Sequence, residues 1–215
     1  MLRLHTYFRS SAAYRVRIAL NLKGLPYEAV PVHLLRDGGQ HRRPEYASLN
    51  PAELVPTLED HSQAITQSLA ILEYLEETHP IPALLPTGSS ERARVRALAL
   101  TIACEIHPLN NLRVLKYLAG TLGIGDDQRN EWYRHWVKTG FTAFERQLTR
   151  EPVPGRFCHG DSPTFADCCL VPQVFNARRL NCPLDDYPTL MRIDENCERM
   201  EAFQQAAPAL QLDAD

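Results

Sequence analysis

Ser10 and Ser11 place two hydroxyls where a strand pattern gives way to a helical one, directly after Arg9. Leu2, Leu4 and Thr6 alternate with Arg3, His5 and Tyr7, the period-two signature of a strand. From Val16 the apolar residues fall at Val16, Ala19, Leu20 and Leu22, which is helical spacing. Serine is favoured at such a junction because its oxygen accepts from a backbone N–H that the first helical turn leaves without a partner. The other N–H groups of that turn, with the positive end of the helix dipole, attract a phosphate, a carboxylate or a thiolate. From this run alone two readings stay open, a plain helix cap and an anion site.

The elements that would hold this junction can be followed along the chain. After the break at Gly24, Leu25 and Pro26, residues 27–34 read as a second strand, followed by an irregular or helical segment. Residues 56–59 and 63–66 read as two short strands joined near Asp60 and His61, and residues 68–78 as an amphipathic helix. This order suits a small mixed sheet with helices on its faces. Pro80, Pro82, Pro86, Gly88, Ser89 and Ser90 read as a linker. Beyond it strand signals nearly vanish. Val95, Leu98, Ala99, Ile102, Ile106 and Leu109 form one helical stripe, and helices are expected over about residues 126–149, from near Thr164, and over 188–207. Thr164 and Asp167 have the spacing of a capping box, in which hydroxyl and carboxylate satisfy each other's backbone donors.

A chain of 215 residues with 44% hydrophobic content can build one large domain or two small ones. A net charge of -3 argues against a broad nucleic-acid or acidic-membrane surface. The opening residues lack the apolar run of a signal peptide, and no stretch approaches a membrane span, so a cytoplasmic protein without nucleic-acid or membrane partners is expected. The six cysteines contain no Cys-x-x-Cys pair and read mostly as small core residues. Cys158, His159 and Asp161 lack a second ligand cluster, and no metal is expected.

Several motifs occur in order: Phe8, Arg9, Ser10 and Ser11 with the run Tyr14, Arg15, Val16, Arg17, Ile18, Ala19 and Leu20; the turn Asp37, Gly38, Gly39 and Gln40; Leu54, Val55, Pro56, Thr57 and Leu58; Gln67 with Ser68; and Leu170, Val171, Pro172, Gln173 and Val174. Together they resemble the zeta class of the glutathione transferases, over nearly the whole chain. The resemblance implies an α/β N-terminal thioredoxin-like domain over residues 1–83 and an all-α C-terminal helical bundle over 84–215. It implies glutathione as cofactor, a small diketo-acid substrate and a homodimer. The activity it implies is cis–trans isomerisation of maleylacetoacetate to fumarylacetoacetate by reversible thiolate addition, in aromatic amino-acid breakdown. Maleylpyruvate isomerisation, general transfer of glutathione to small halogenated acids, and a non-catalytic assembly module are the alternatives.

Carried onto this chain, the resemblance makes Ser10 the hydroxyl that activates the thiol and Ser11 its supporting donor, both in contact with glutathione. Val55, before a cis Pro56, would present its backbone to the cysteinyl part of glutathione. Gln67 and Ser68 would take the γ-glutamyl carboxylate, with Ser68 also at a helix start. Gln40, His107, Asn111 and Arg113 are further glutathione contacts. Arg9 and Arg179 would face the carboxylates of the substrate, Arg9 also stabilising the reacting centre. Arg15, Arg17 and Arg178 read as helix-surface arginines, solvated or paired. Cys104, His107 and Asn111 have the spacing of one helix face, with Pro108 able to kink it. The chain departs from the usual pattern at Ala12, where relatives carry cysteine, and at His41 and His107, where they often carry glutamine. Tyr7 is a rival activating hydroxyl, disfavoured by its place before Phe8.

Overall fold

The computed structural model describes residues 1–150 and 155–214. The chain packs as two compact units, Met1–Leu84 together with Glu198–Asp215, and Leu85–Cys197. The last segment therefore belongs with the first unit, whereas a division at 83/84 places it with the second.

In the first unit, β1 (Leu2–Thr6) leads into α1 (Ser11–Leu22) and returns as β2 (Tyr27–Pro31), parallel to β1. A parallel return requires a crossover, and α1 supplies it. β3 (Thr57–Asp60) and β4 (Gln63–Thr66) form an antiparallel hairpin whose first strand pairs with the other edge of β1, giving the order β2-β1-β3-β4. Leu4 sits opposite Leu58 in this register, and both are fully buried. The strand expected to reach residue 34 ends at Pro31. His33 turns away from β1, its N–H and carbonyl engaged by the Gln40 side chain and the Gln40 N–H respectively.

Between the sheet halves lies the short helix α2 (Pro44–Leu49), and after β4 the chain forms α3 (Ser68–Thr78). α1 packs against α3 and against α9 (Glu201–Ala206). The tail is held by polar bonds as well: Asn21 Nδ2 donates to the Ala202 carbonyl at 2.9 Å and Arg17 Nε to the Ala206 carbonyl at 3.0 Å.

The second unit is helical among its described residues. It contains α4 (Ser89–Leu100), α5 (Leu112–Gly120), α6 (Asp126–Thr149), α7 (Phe165–Arg179) and most of α8 (Pro188–Glu198). α5 is an amphipathic helix that the sequence reading above leaves out. The single stripe expected over residues 95–109 is broken after Leu100: Thr101–Ile106 is a π-helical turn and Pro108–Asn110 a 3-10 turn. Pro108 has no N–H to continue an α-helical ladder. The helix expected over 188–207 is likewise divided, because Met200 is extended. The capping box of α7 is formed, with Asp167 fully buried and accepting from the Cys158 N–H and from the Thr164 N–H and hydroxyl. Burial pushes the Asp167 carboxyl up, against these hydrogen bonds. Of the six cysteines only Cys104 is exposed. No helix among the described residues is long and apolar enough to cross a membrane.

Candidate functional site

The strand-to-helix turn at residues 7–10 is built as its sequence suggests. Ser10 is the N-cap of α1, with extended backbone, and its Oγ accepts from the Ala13 N–H at 3.2 Å. A hydroxyl that accepts through its oxygen keeps its proton to donate. Ser11 is the first helical residue and is buried. No acidic residue lies in the first turn, so no side chain of the helix's own start offsets its positive end. Arg9 lies beside the turn, with its guanidinium 4.8 Å from the Phe8 ring centroid and Nη2 donating to the Tyr7 hydroxyl at 3.2 Å. Tyr7 itself is packed into a core cluster with Phe8, Val32, Tyr46 and Val55.

Arg15 and Arg17 overturn the expectation of surface arginines: they are 2% and 0% exposed. α1 is enclosed by the sheet, α3 and α9, so polar residues along it face protein. Arg15 Nη1 donates to the Ser68 hydroxyl at 3.2 Å. Arg17 donates to the Tyr7 and Phe8 carbonyls at 3.3 and 3.0 Å, and burial lowers it to about 10. These two residues were missed because residue type outweighs spacing in a sequence reading; the helical phase of Arg15 relative to Ser11 was the available signal. Arg178 is paired as expected, 2.7 Å from the buried Asp194.

Ser68 opens α3, again with no acid in the first turn. Gln67 precedes it with φ +68, a left-handed backbone that non-glycine residues rarely adopt outside special sites. Its side chain is exposed. The Val55–Pro56 bond is cis, as the resemblance implies. α2 fixes this loop: the Tyr46 hydroxyl and Asn50 Nδ2 both donate to the Leu54 carbonyl, at 2.5 and 2.7 Å, and both reach Thr57 Oγ1. Gln40 is used within its own turn, Oε1 accepting from the His33 N–H at 2.9 Å and Nε2 donating to Asp37 at 3.2 Å. His41 is buried beside it.

In the second unit, His107, Asn111 and Arg113 lie on one segment but not on one helix face. His107 sits between the π and 3-10 turns, Asn111 is the extended N-cap of α5 with Oδ1 accepting from the Arg113 N–H at 3.1 Å, and Arg113 is exposed. The interruption at Pro108 removes the continuous helix that would have aligned Cys104, His107 and Asn111. α6 fixes this segment: Trp132 Nε1 donates to the Leu109 carbonyl at 2.9 Å, and Asn110 Nδ2 to the Tyr133 carbonyl at 3.2 Å. Arg179 ends α7, exposed, near enough to Tyr133 to act on it electrostatically. Burial outweighs that cation and pushes Tyr133 up to about 12.

Residues 9–78 match the glutathione S-transferase N-terminal domain and residues 126–211 its C-terminal domain. A protein from Vibrio cholerae, called a probable maleylacetoacetate isomerase, is 51% identical over 98% of this chain and 97% of its own. The holo structure of a bacterial maleylpyruvate isomerase of the zeta class superposes with a TM-score of 0.96 at 46% identity, covering 99% of this chain and 100% of that one. A maleylacetoacetate isomerase from Anaeromyxobacter dehalogenans, with glutathione bound in its active site, gives 0.88 at 43% identity over 100% of this chain and 98% of that one. The chain belongs to the glutathione S-transferase family and, within it, to the zeta class.

Proposed function

We propose that this chain is a glutathione-dependent cis–trans isomerase that converts maleylacetoacetate to fumarylacetoacetate. The observation that carries the reading is the start of α1, where the Ser10 hydroxyl sits at a helix N-terminus whose first turn contains no acidic residue, directly after Arg9. Relatives named for this reaction, matched over nearly their whole length, give the substrate class. The donor set fits glutathione. Ser10 and Ser11 suit a thiolate, and the buried Arg15 with Ser68 at the start of α3 suits a carboxylate.

When bound, glutathione supplies a thiol nucleophile that adds reversibly to the cis double bond and so permits its rotation. The protein's task is to keep that thiol ionised. A free thiol has a pKa near 8.5, and lowering it by about two units needs about 2.7 kcal/mol of preference for the thiolate. A helix terminus gives roughly 0.3–1 kcal/mol, up to about 2 when partly buried, and a hydrogen bond to a charged group about 1.5–3. The Ser10 hydroxyl and the helix start together reach that figure. With Ala12 in the turn, the chain does this without a cysteine beside the site.

The other roles are those that the resemblance to the zeta class implies. Val55 offers its backbone to the cysteinyl unit, and Gln67 and Ser68, with Arg15, hold the γ-glutamyl carboxylate. Gln40, His107, Asn111 and Arg113 supply further polar contacts to glutathione. Arg9 and Arg179 hold substrate carboxylates and offset the negative charge that develops during addition. A homodimer is inferred on the same resemblance, and the cytoplasm on the sequence reading above.

A second reading, isomerisation of maleylpyruvate, is favoured by the superposition of 0.96 on a maleylpyruvate isomerase. An ultraviolet assay of both substrates side by side, with and without glutathione, tests the proposal. Glutathione-dependent turnover of maleylacetoacetate is expected at the higher kcat/KM; activity on neither substrate overturns it.

A further inference from the structure

The peptide groups leading into Ser10 are held by two buried charged side chains, and both are tied to the far end of the chain. Arg17 donates from Nη1 to Thr6 Oγ1 at 2.9 Å and to the Tyr7 carbonyl, and from Nη2 to the Phe8 carbonyl at 3.0 Å. Its Nε reaches the Ala206 carbonyl at the end of α9. The N–H of Phe8 donates to Asp213 Oδ2 at 3.1 Å, and Asp213 is 6% exposed. The Ser10 N–H in turn donates to the Tyr7 carbonyl at 2.9 Å, an oxygen it shares with Arg17.

The turn is therefore fixed on both sides of Phe8. Its carbonyl is taken by a cation on α1, and its N–H by an anion from residue 213, more than 200 positions away. Charge-assisted hydrogen bonds of this kind are stronger than neutral ones and set geometry more tightly. Asp213 also acts favourably on Arg17 through space, offsetting part of the cost of burying that cation.

We propose that Asp213 is a positioning residue for the Ser10 hydroxyl, so that the C-terminal segment helps to set how far the bound thiol ionises. This rests on the assignment of Ser10 given above. The carboxylate has two separable effects. As a hydrogen-bond acceptor it fixes the turn, which favours the thiolate. As a negative charge it disfavours any nearby thiolate. The variants D213A and D213N separate them, because asparagine keeps an acceptor oxygen and loses the charge.

The test uses the full chain with glutathione alone, reading the ultraviolet absorbance of the thiolate against pH. In D213A the ionisation midpoint should rise by about one pH unit, a tenfold loss of thiolate preference. At neutral pH, where that shift lowers the thiolate fraction about threefold, kcat should fall about threefold with KM for glutathione within about twofold, the signature of a transition-state rather than a binding loss. D213N should stay near the parent protein. A midpoint unchanged in D213A, or lowered in both variants, overturns the proposal. Amide exchange at Ala13, whose N–H donates to Ser10 Oγ, gives an answer without glutathione: D213A should exchange faster there by more than its loss of global stability accounts for. If the parent protein binds glutathione without ionising it, the Ser10 assignment fails, while the Ala13 exchange still decides whether Asp213 positions the turn.

Discussion

Arg15 and Ser68 join the starts of two helices: the guanidinium of one, 2% exposed, donates at 3.2 Å to the hydroxyl of the other, 7% exposed. The contact brings a buried cation from the second turn of α1 to the N-terminus of α3, where backbone N–H groups already favour an anion. Sites that take a carboxylate commonly combine a forked cation with such donors.

Replacing Arg15 by Lys keeps the charge and loses the planar fork. A hydrogen bond to a charged group contributes about 1.5–3 kcal/mol, so KM for glutathione should rise at least about tenfold. kcat at saturating glutathione should stay within about twofold, because the contact is made equally before and during the reaction. Ser68→Ala should act in the same direction. Initial rates over a glutathione series check both.

Gly140 lies where a Cβ would run into the Ile106 side chain, which is fully buried at the end of the π turn. Alanine gains about 1 kcal/mol of helix propensity over glycine in α6, whereas overpacking costs about 1–3 kcal/mol. Gly140→Ala should therefore lower stability by about 1 kcal/mol, despite the propensity gain, and disturb the adjoining segment that carries His107 and Asn111. Urea unfolding measures the first effect and KM for glutathione the second.

Tyr133 provides a pH-dependent stability term. Burial, partly offset by Arg179, raises its hydroxyl to about 12, above the value of about 10 for an unfolded chain. An acid whose pKa is raised on folding contributes stability that is fully present below the unfolded value and is lost as pH rises through the folded one. Stability should therefore decline above about pH 10, and Tyr133→Phe should make the decline shallower. Urea midpoints at neutral and alkaline pH compare the two proteins.

Much of this was legible in the chain. β4 and α3 have the expected bounds, because Gln63 to Thr66 and the amphipathic run from Ser68 each follow one period without interruption. The Thr164 and Asp167 capping box was equally clear, since both partners are local. What failed depends on distant packing. Arg15 and Arg17 read as surface residues, although α3 and α9 enclose the helix that bears them. The π turn after Leu100 and the break at Met200 interrupt apolar stripes that run on in sequence. Asp213 gave no signal, because its partners, the Phe8 N–H and the Arg17 guanidinium, lie at the opposite end of the chain.

The account centres on Ser10 as the group that ionises the glutathione thiol. The most direct measurement is the thiolate absorbance of glutathione bound to the parent protein and to Ser10→Ala, titrated against pH. The parent should hold the thiol largely ionised at neutral pH. Ser10→Ala, which also loses about 1 kcal/mol of helix capping, should return the midpoint toward the free-thiol value near 8.5 while still binding glutathione. A folded Ser10→Ala protein that titrates like the parent would contradict the account.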